Sequence, residues 1–169
     1  SVLWTNIEDN KHSFSLTALW DVSGYNGSAE ASPAVGDDFI ALCWPNTYEY
    51  TGSSNASGYY NAGLDNYTDI EFYRASVVGN SGLSWGFSEK VPTQYVYVGA
   101  DRITAYAHIA TNNSTAFYKT FTAQYVHTYQ DKQGNVSMNA SSSGAAGGIT
   151  VSNVDKQWTL VSPITVNIK

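Results

Sequence analysis

The sequence predicts an all-β sandwich, and three observations carry that prediction. Apolar residues recur at every second position, helical periodicity is nearly absent, and short apolar runs are separated by Gly, Pro, Asn and Asp. A chain of 169 residues, 43% of them hydrophobic, suits one compact domain with a core of its own.

The first strong element is 13–22. There Phe14, Leu16, Ala18, Trp20 and Val22 alternate with Ser13, Ser15, Thr17, Leu19 and Asp21, so one face packs while the other meets solvent. The run 38–44 is apolar at nearly every position and ends at Pro45, the pattern of a central strand covered on both faces. Further strands are expected over 70–77, 83–87, 95–98, 103–110, 116–129, 136–140, 148–153, 157–161 and 164–168. In 116–129, Phe121, Ala123, Tyr125, His127 and Tyr129 share one face, and Thr120, Thr122, Gln124 and Thr128 the other. The turn residues 131–135 follow, so Val136 is expected to open the return strand of a hairpin. Two Gly-, Ser-, Asn- or Ala-rich stretches, 46–65 and 141–148, read as loops. The expected architecture is an immunoglobulin-like, Greek-key sandwich of roughly 8–11 strands over 13–169. Residues 1–12 precede it as a strand and tail.

Charged residues make up 13% of the chain and the formal net charge is -6, while Tyr numbers 13 and Gly 14. Hydroxyls and amides must cover much of such a surface, which suits an exposed extracellular protein. The eight Lys and Arg residues are scattered singly, so no basic stripe exists to neutralise phosphates, and nucleic acid is not an expected partner. No apolar stretch approaches the ~20 residues of a membrane-spanning helix. Cys43, the sole cysteine, lies in the apolar run before Pro45 and reads as a buried thiol. The sequence starts at Ser1, which reads as the product of removing an export leader.

Seven Asn-x-Ser/Thr sequons stand at Asn26, Asn55, Asn66, Asn112, Asn113, Asn135 and Asn139. The composition alone would give roughly three, and most of the seven fall in expected turns, which points to N-glycans on an exported protein. The first segment, Val2, Leu3, Trp4, Thr5, Asn6 and Ile7, is apolar enough for a strand, and the polar spacer 8–12 follows it. Such a chain end either pairs within its own sheet or completes the edge of a neighbour by strand addition.

An apolar N-terminal strand, an all-β head, low charge and many sequons together resemble the subunits of donor-strand surface filaments, especially the glycosylated archaeal threads that act as adhesive pili. The resemblance lies in composition and layout over the whole chain. It implies a cell-surface adhesion filament, a homopolymer of identical subunits joined through Val2 to Ile7 and carrying covalent N-glycans.

The residues for chemistry are sparse. His12, His108 and His127 have no metal-ligand partner at His-x-x-x-His or Cys-x-x-Cys spacing, and no nucleophile elbow or phosphate-cradling Gly loop is present. Asp37, Asp38, Asp65, Asp69 and Glu71 come nearest to a carboxylate cluster; the stretch Asp65 to Glu71 offers oxygen ligands for calcium but lacks the order of a calcium loop, so its carboxylates read as solvated. No catalytic residue, metal or cofactor is expected. The competing reading is a secreted carbohydrate-binding module or lectin, in which Tyr48, Tyr50, Tyr59, Tyr60 and Tyr67 of the stretch 46–67 stack on sugar rings.

Overall fold

The computed structural model describes residues 1–19, 37–61, 67–78, 82–88, 99–111, 118–128, 134–139, 146–154 and 157–167. Every regular element among them is a strand. In chain order these are β1 (Val2–Glu8), β2 (Lys11–Leu19), β3 (Asp37–Cys43), β4 (Tyr48–Asn61), β5 (Tyr67–Asp69), β6 (Phe72–Val78), β7 (Gly82–Ser88), β8 (Gly99–Thr111), β9 (Tyr118–Thr128), β10 (Asn135–Met138), β11 (Ile149–Ser152) and β12 (Gln157–Asn167). The expected strand over 95–98 lies outside the described residues.

The strands form two five-stranded sheets, ordered β1-β2-β8-β4-β5 and β12-β9-β3-β7-β6, and a separate β10-β11 ribbon. All pairings are antiparallel. The sheets face each other across one core, the sandwich that the alternating pattern predicts. Phe14, Leu16, Ile103, Ala105, Ala107 and Ile109 from the first sheet meet Ile40, Leu42, Leu83, Phe87, Phe121 and Ala123 from the second, all buried. The burial of β2 alternates as its sequence does, with His12, Phe14 and Leu16 inward.

The central strand β3 is covered on both faces, as its unbroken apolar run requires. Ile40 and Leu42 enter the main core. Phe39, Ala41 and Cys43 face the other way, against Val126, Ile149 and Val151 under the ribbon. Burial pushes the Cys43 thiol up to about 12, so it stays protonated and inert.

Three sequence expectations are corrected. Residues 48–61 of the expected loop 46–65 form the long strand β4, paired with β8 across a register shift between Tyr50 and Ser54. Small residues are what this strand needs: a Cβ on Gly58 would lie 2.5 Å from the Arg102 carbonyl oxygen. Val136 does not return along β9; β10 pairs with β11, and the ribbon covers the outer face of β3 and β9. The segments 157–161 and 164–168 are one strand, β12, running through Pro163. A proline without an N–H is tolerated there because, among the described strands, β12 pairs with β9 alone and forms a sheet edge.

Candidate strand-exchange site

Among the described residues the N-terminal strand lies at the edge of the first sheet, with β2 as its one neighbour. Trp4 pairs with Phe14, Thr5 with Ser13 and Asn6 with His12. The N-terminal ammonium of Ser1 donates to the Thr17 carbonyl at 2.6 Å, and Thr17 N–H returns a bond to the Ser1 carbonyl at 2.8 Å. Within the spacer 8–12, Glu8 ends β1, Asp9 and Asn10 form a tight turn, and Lys11 and His12 open β2. Asn10 takes a left-handed conformation in that turn (φ 64°), and Glu8 and Lys11 pair across it at 2.8 Å, both largely exposed.

Alternation in β1 persists only through its first half. Val2 and Trp4 pack on the core, while Leu3 is 60% and Ile7 45% exposed, Thr5 is exposed, and Asn6 is exposed but turns its Oδ1 to His12. Trp4 is the anchor. Its indole stacks on His12 at 4.5 Å between ring centroids, tilts against Phe121 at 4.4 Å and meets Tyr48 edge-on at 6.1 Å. Aromatic contacts of this kind contribute about 0.5–1.5 kcal/mol each beyond the area they bury.

Beneath Trp4, His12 is 6% exposed. Its Nδ1–H donates to Asn6 Oδ1 at 2.8 Å, which places the lone pair on Nε2. That Nε2 is buried and has no hydrogen-bond partner among the described residues. Desolvation therefore holds the imidazole pKa below its ordinary value of 6.5. No spacing signal in the sequence marks His12 as part of this site; its place on the inward face of β2 is the available clue.

Both sheets end on this side of the sandwich, in β1 and in β12. Between these edges a groove of ≈ 340 Å³ remains, lined by Val2, Leu16, Ala18, Tyr125, Leu160 and Val161. Leu160 and Val161 are 57% and 51% exposed, and Leu19 beside them 62%. Apolar side chains and sheet-edge backbone thus lie along one flank.

Of the other candidate residues, Tyr48 is core: it is 1% exposed, and burial pushes its phenol up to about 12. Tyr50 is half-buried, and its hydroxyl is hydrogen-bonded to Ser54 at 2.7 Å. Tyr59 is half-buried on β4, and the side chains of Tyr60 and Tyr67 lie outside the described residues. Tyr48 and Tyr50 thus supply packing and hydrogen bonding, not an exposed sugar platform. Among the sequons, Asn55, Asn135 and Asn139 are exposed, whereas Asn26, Asn66, Asn112 and Asn113 lie outside the described residues.

The carboxylates also separate. Asp69 and Glu71 are exposed and Asp65 lies outside the described residues, whereas Asp38, on the covered strand β3, is fully buried. Asp38 Oδ1 accepts the Thr128 N–H at 3.0 Å, while Oδ2 accepts the Tyr125 hydroxyl and His127 Nδ1–H, the latter at 3.0 Å. Asp37 accepts the Tyr73 hydroxyl at 2.7 Å, and burial together with this bond raises the Tyr73 pKa. These contacts tie β3 to β9 and to β6. Among the described residues no three His, Cys, Asp or Glu side chains converge as a metal set, and no helix is long and apolar enough to cross a membrane.

No family model and no curated protein matches the chain. A solved structure of AvmM, described as catalysing macrocyclization in alchivemycin A biosynthesis, aligns over 99% of this chain and 87% of its own at 8% identity, with a TM-score of 0.35. A likeness that low carries no argument about fold or chemistry here.

Proposed function

We propose that the protein is a structural subunit of an extracellular, cell-surface filament whose copies join head to tail by exchanging β1. The observation that carries this reading is the position of β1. It is the first strand described, it lies at a sheet edge, and a two-residue turn joins it to β2. Its withdrawal leaves β2 as the new edge and uncovers a strip whose shape and register another copy's β1 already fits. The turn favours exchange, because it is a hinge of only two residues, and short hinges invite strand swapping.

Donation in one direction gives a heterologous contact that does not close on itself, so repetition builds a filament. Exposed Leu3 and Ile7 on β1, with Leu160 and Val161 on the nearby edge, supply apolar surface for that contact. In this reading Asn55, Asn135 and Asn139 carry N-glycans on the exposed surface, and the filament serves adhesion.

Negative-stain electron microscopy of the full chain beside a version lacking Ser1 to Asn10 tests the proposal. Continuous filaments from the first and dispersed, folded particles from the second are expected. Discrete particles from both would overturn it.

A further inference from the structure

We propose that His12 is an acid-sensitive latch on β1, so that protonating this imidazole loosens the strand that covers it. The observations lie in the strand's own packing. Trp4 lies over the ring, Asn6 takes up Nδ1, and Nε2 points into buried space without a partner among the described residues. A proton added at Nε2 creates a charged donor that this enclosure cannot satisfy. Lifting β1 away exposes the ring to water, which satisfies it.

The surroundings offer no compensating negative charge among the described groups. On β1, Trp4 and Asn6 are neutral, and the Glu8 carboxylate is held by Lys11 in the exposed turn. From β4, the Tyr48 phenol meets the imidazole edge-on at 6.1 Å and stays protonated, its pKa raised to about 12. From β8, Ile109 pairs with His12 and Thr111 follows on the same face, with the Thr111 hydroxyl donating to the Thr47 carbonyl at 3.1 Å. On β9, Phe121 is the ring that meets Trp4, and it carries no charge.

The sign follows from linkage. The imidazole of the docked strand binds its proton more weakly than the same imidazole in the open chain, so the open form carries more protons below pH 6.5. Docking of β1 is at full strength above that pH and weakens as pH falls through it, by up to about tenfold in the docking equilibrium per pH unit. An exchanged β1 covers the neighbour's His12 in the same way. Acid therefore speeds the passage of β1 between copies without choosing between the closed and exchanged forms. This consequence rests on the exchange reading, whereas the latch itself is a property of the single chain.

Hydrogen exchange of the full chain, followed by mass spectrometry at about pH 7.5 and about pH 5.5, reads the latch directly. After correction for intrinsic rates, protection of the β1 amides relative to β7 is expected to fall several-fold to about tenfold in the natural chain and by less than about twofold in His12→Phe. His12→Phe keeps a ring under Trp4 and leaves Asn6 to water; His12→Gln is a second variant that does not titrate. Equal protection at both pH values in the natural chain would overturn the latch, as would a fall in His12→Phe and His12→Gln equal to that in the natural chain. A pH-dependent loss of β1 protection without filaments at any pH would uphold the latch and sink the exchange reading.

Discussion

Replacing Asp38 by alanine is expected to destabilise the sandwich by about 3–5 kcal/mol, because it takes the acceptor from three donors in a space closed to water. The carboxylate is fully buried and joins β3 to β9 through the Thr128 N–H, the Tyr125 hydroxyl and His127. Its removal also opens a cavity beside the Tyr125 ring. For a chain of this size the loss corresponds to a fall in Tm of roughly 6–20 °C. Tyr125→Phe removes one donor and leaves the other two in place, so it should cost only about 1 kcal/mol. Thermal melts of the two variants, read side by side, check both values. An Asp38→Ala protein as stable as the natural chain would show that these bonds contribute nothing net.

The second large effect is on β1. Trp4→Ala removes the stack on His12 and the contacts with Phe121 and Tyr48, the main apolar attachment of the strand. The indole is half-buried, so the loss should be about 2–3 kcal/mol, less than for a core tryptophan. The rest of the sandwich keeps its core, since Phe14, Leu16 and Ile109 hold β2 and β8 in place. The expected result is a folded protein whose β1 is released and which no longer assembles, measured by urea denaturation and light scattering. Leu3→Ala, by contrast, truncates a residue that is 60% exposed and should leave stability within about 0.5 kcal/mol.

How much of this is legible in the sequence depends on the element. β2 and β3 are, because alternation and an unbroken apolar run each have one physical solution in a sandwich. β4 is not. Gly52, Ser53, Ser54, Asn55 and Gly58 are poor strand formers, and pairing with β8 together with the tight approach at Gly58 overrides that preference. The partner of β10 is hidden as well, since turn residues show that the chain reverses but not which strand it meets next. Pro163 divides β12 on paper because its compatibility with an edge is visible only once the sheet order is known.

For the candidate site, residues Val2 to Ile7 read as a strand from their sequence, but what lies beneath them does not. His12 sits in a polar spacer by composition, and only the register with Asn6 places it under Trp4. Asp38 opens the apolar run that reads as covered on both faces, but the donors on β9 that hold its carboxylate are not visible in the sequence. Tyr48 likewise joins a tyrosine-rich stretch on paper and the core in space.

Exchange of β1 between copies is tested most directly by a cross-strand disulfide at Thr5 and Ser13, which are paired in register and lie away from the core. Directly opposed residues of antiparallel strands have Cα atoms about 4.5–5.5 Å apart, within the reach of a disulfide. The chain carrying Thr5→Cys and Ser13→Cys is first assembled under reducing conditions, then oxidised, dissolved in denaturant and run on a non-reducing gel. Strand exchange predicts a ladder of covalent multimers, because the thiol introduced on β1 of each copy then faces the thiol introduced on β2 of another. It also predicts that monomers oxidised beforehand do not assemble. Assemblies that yield only internally bridged monomers would contradict it.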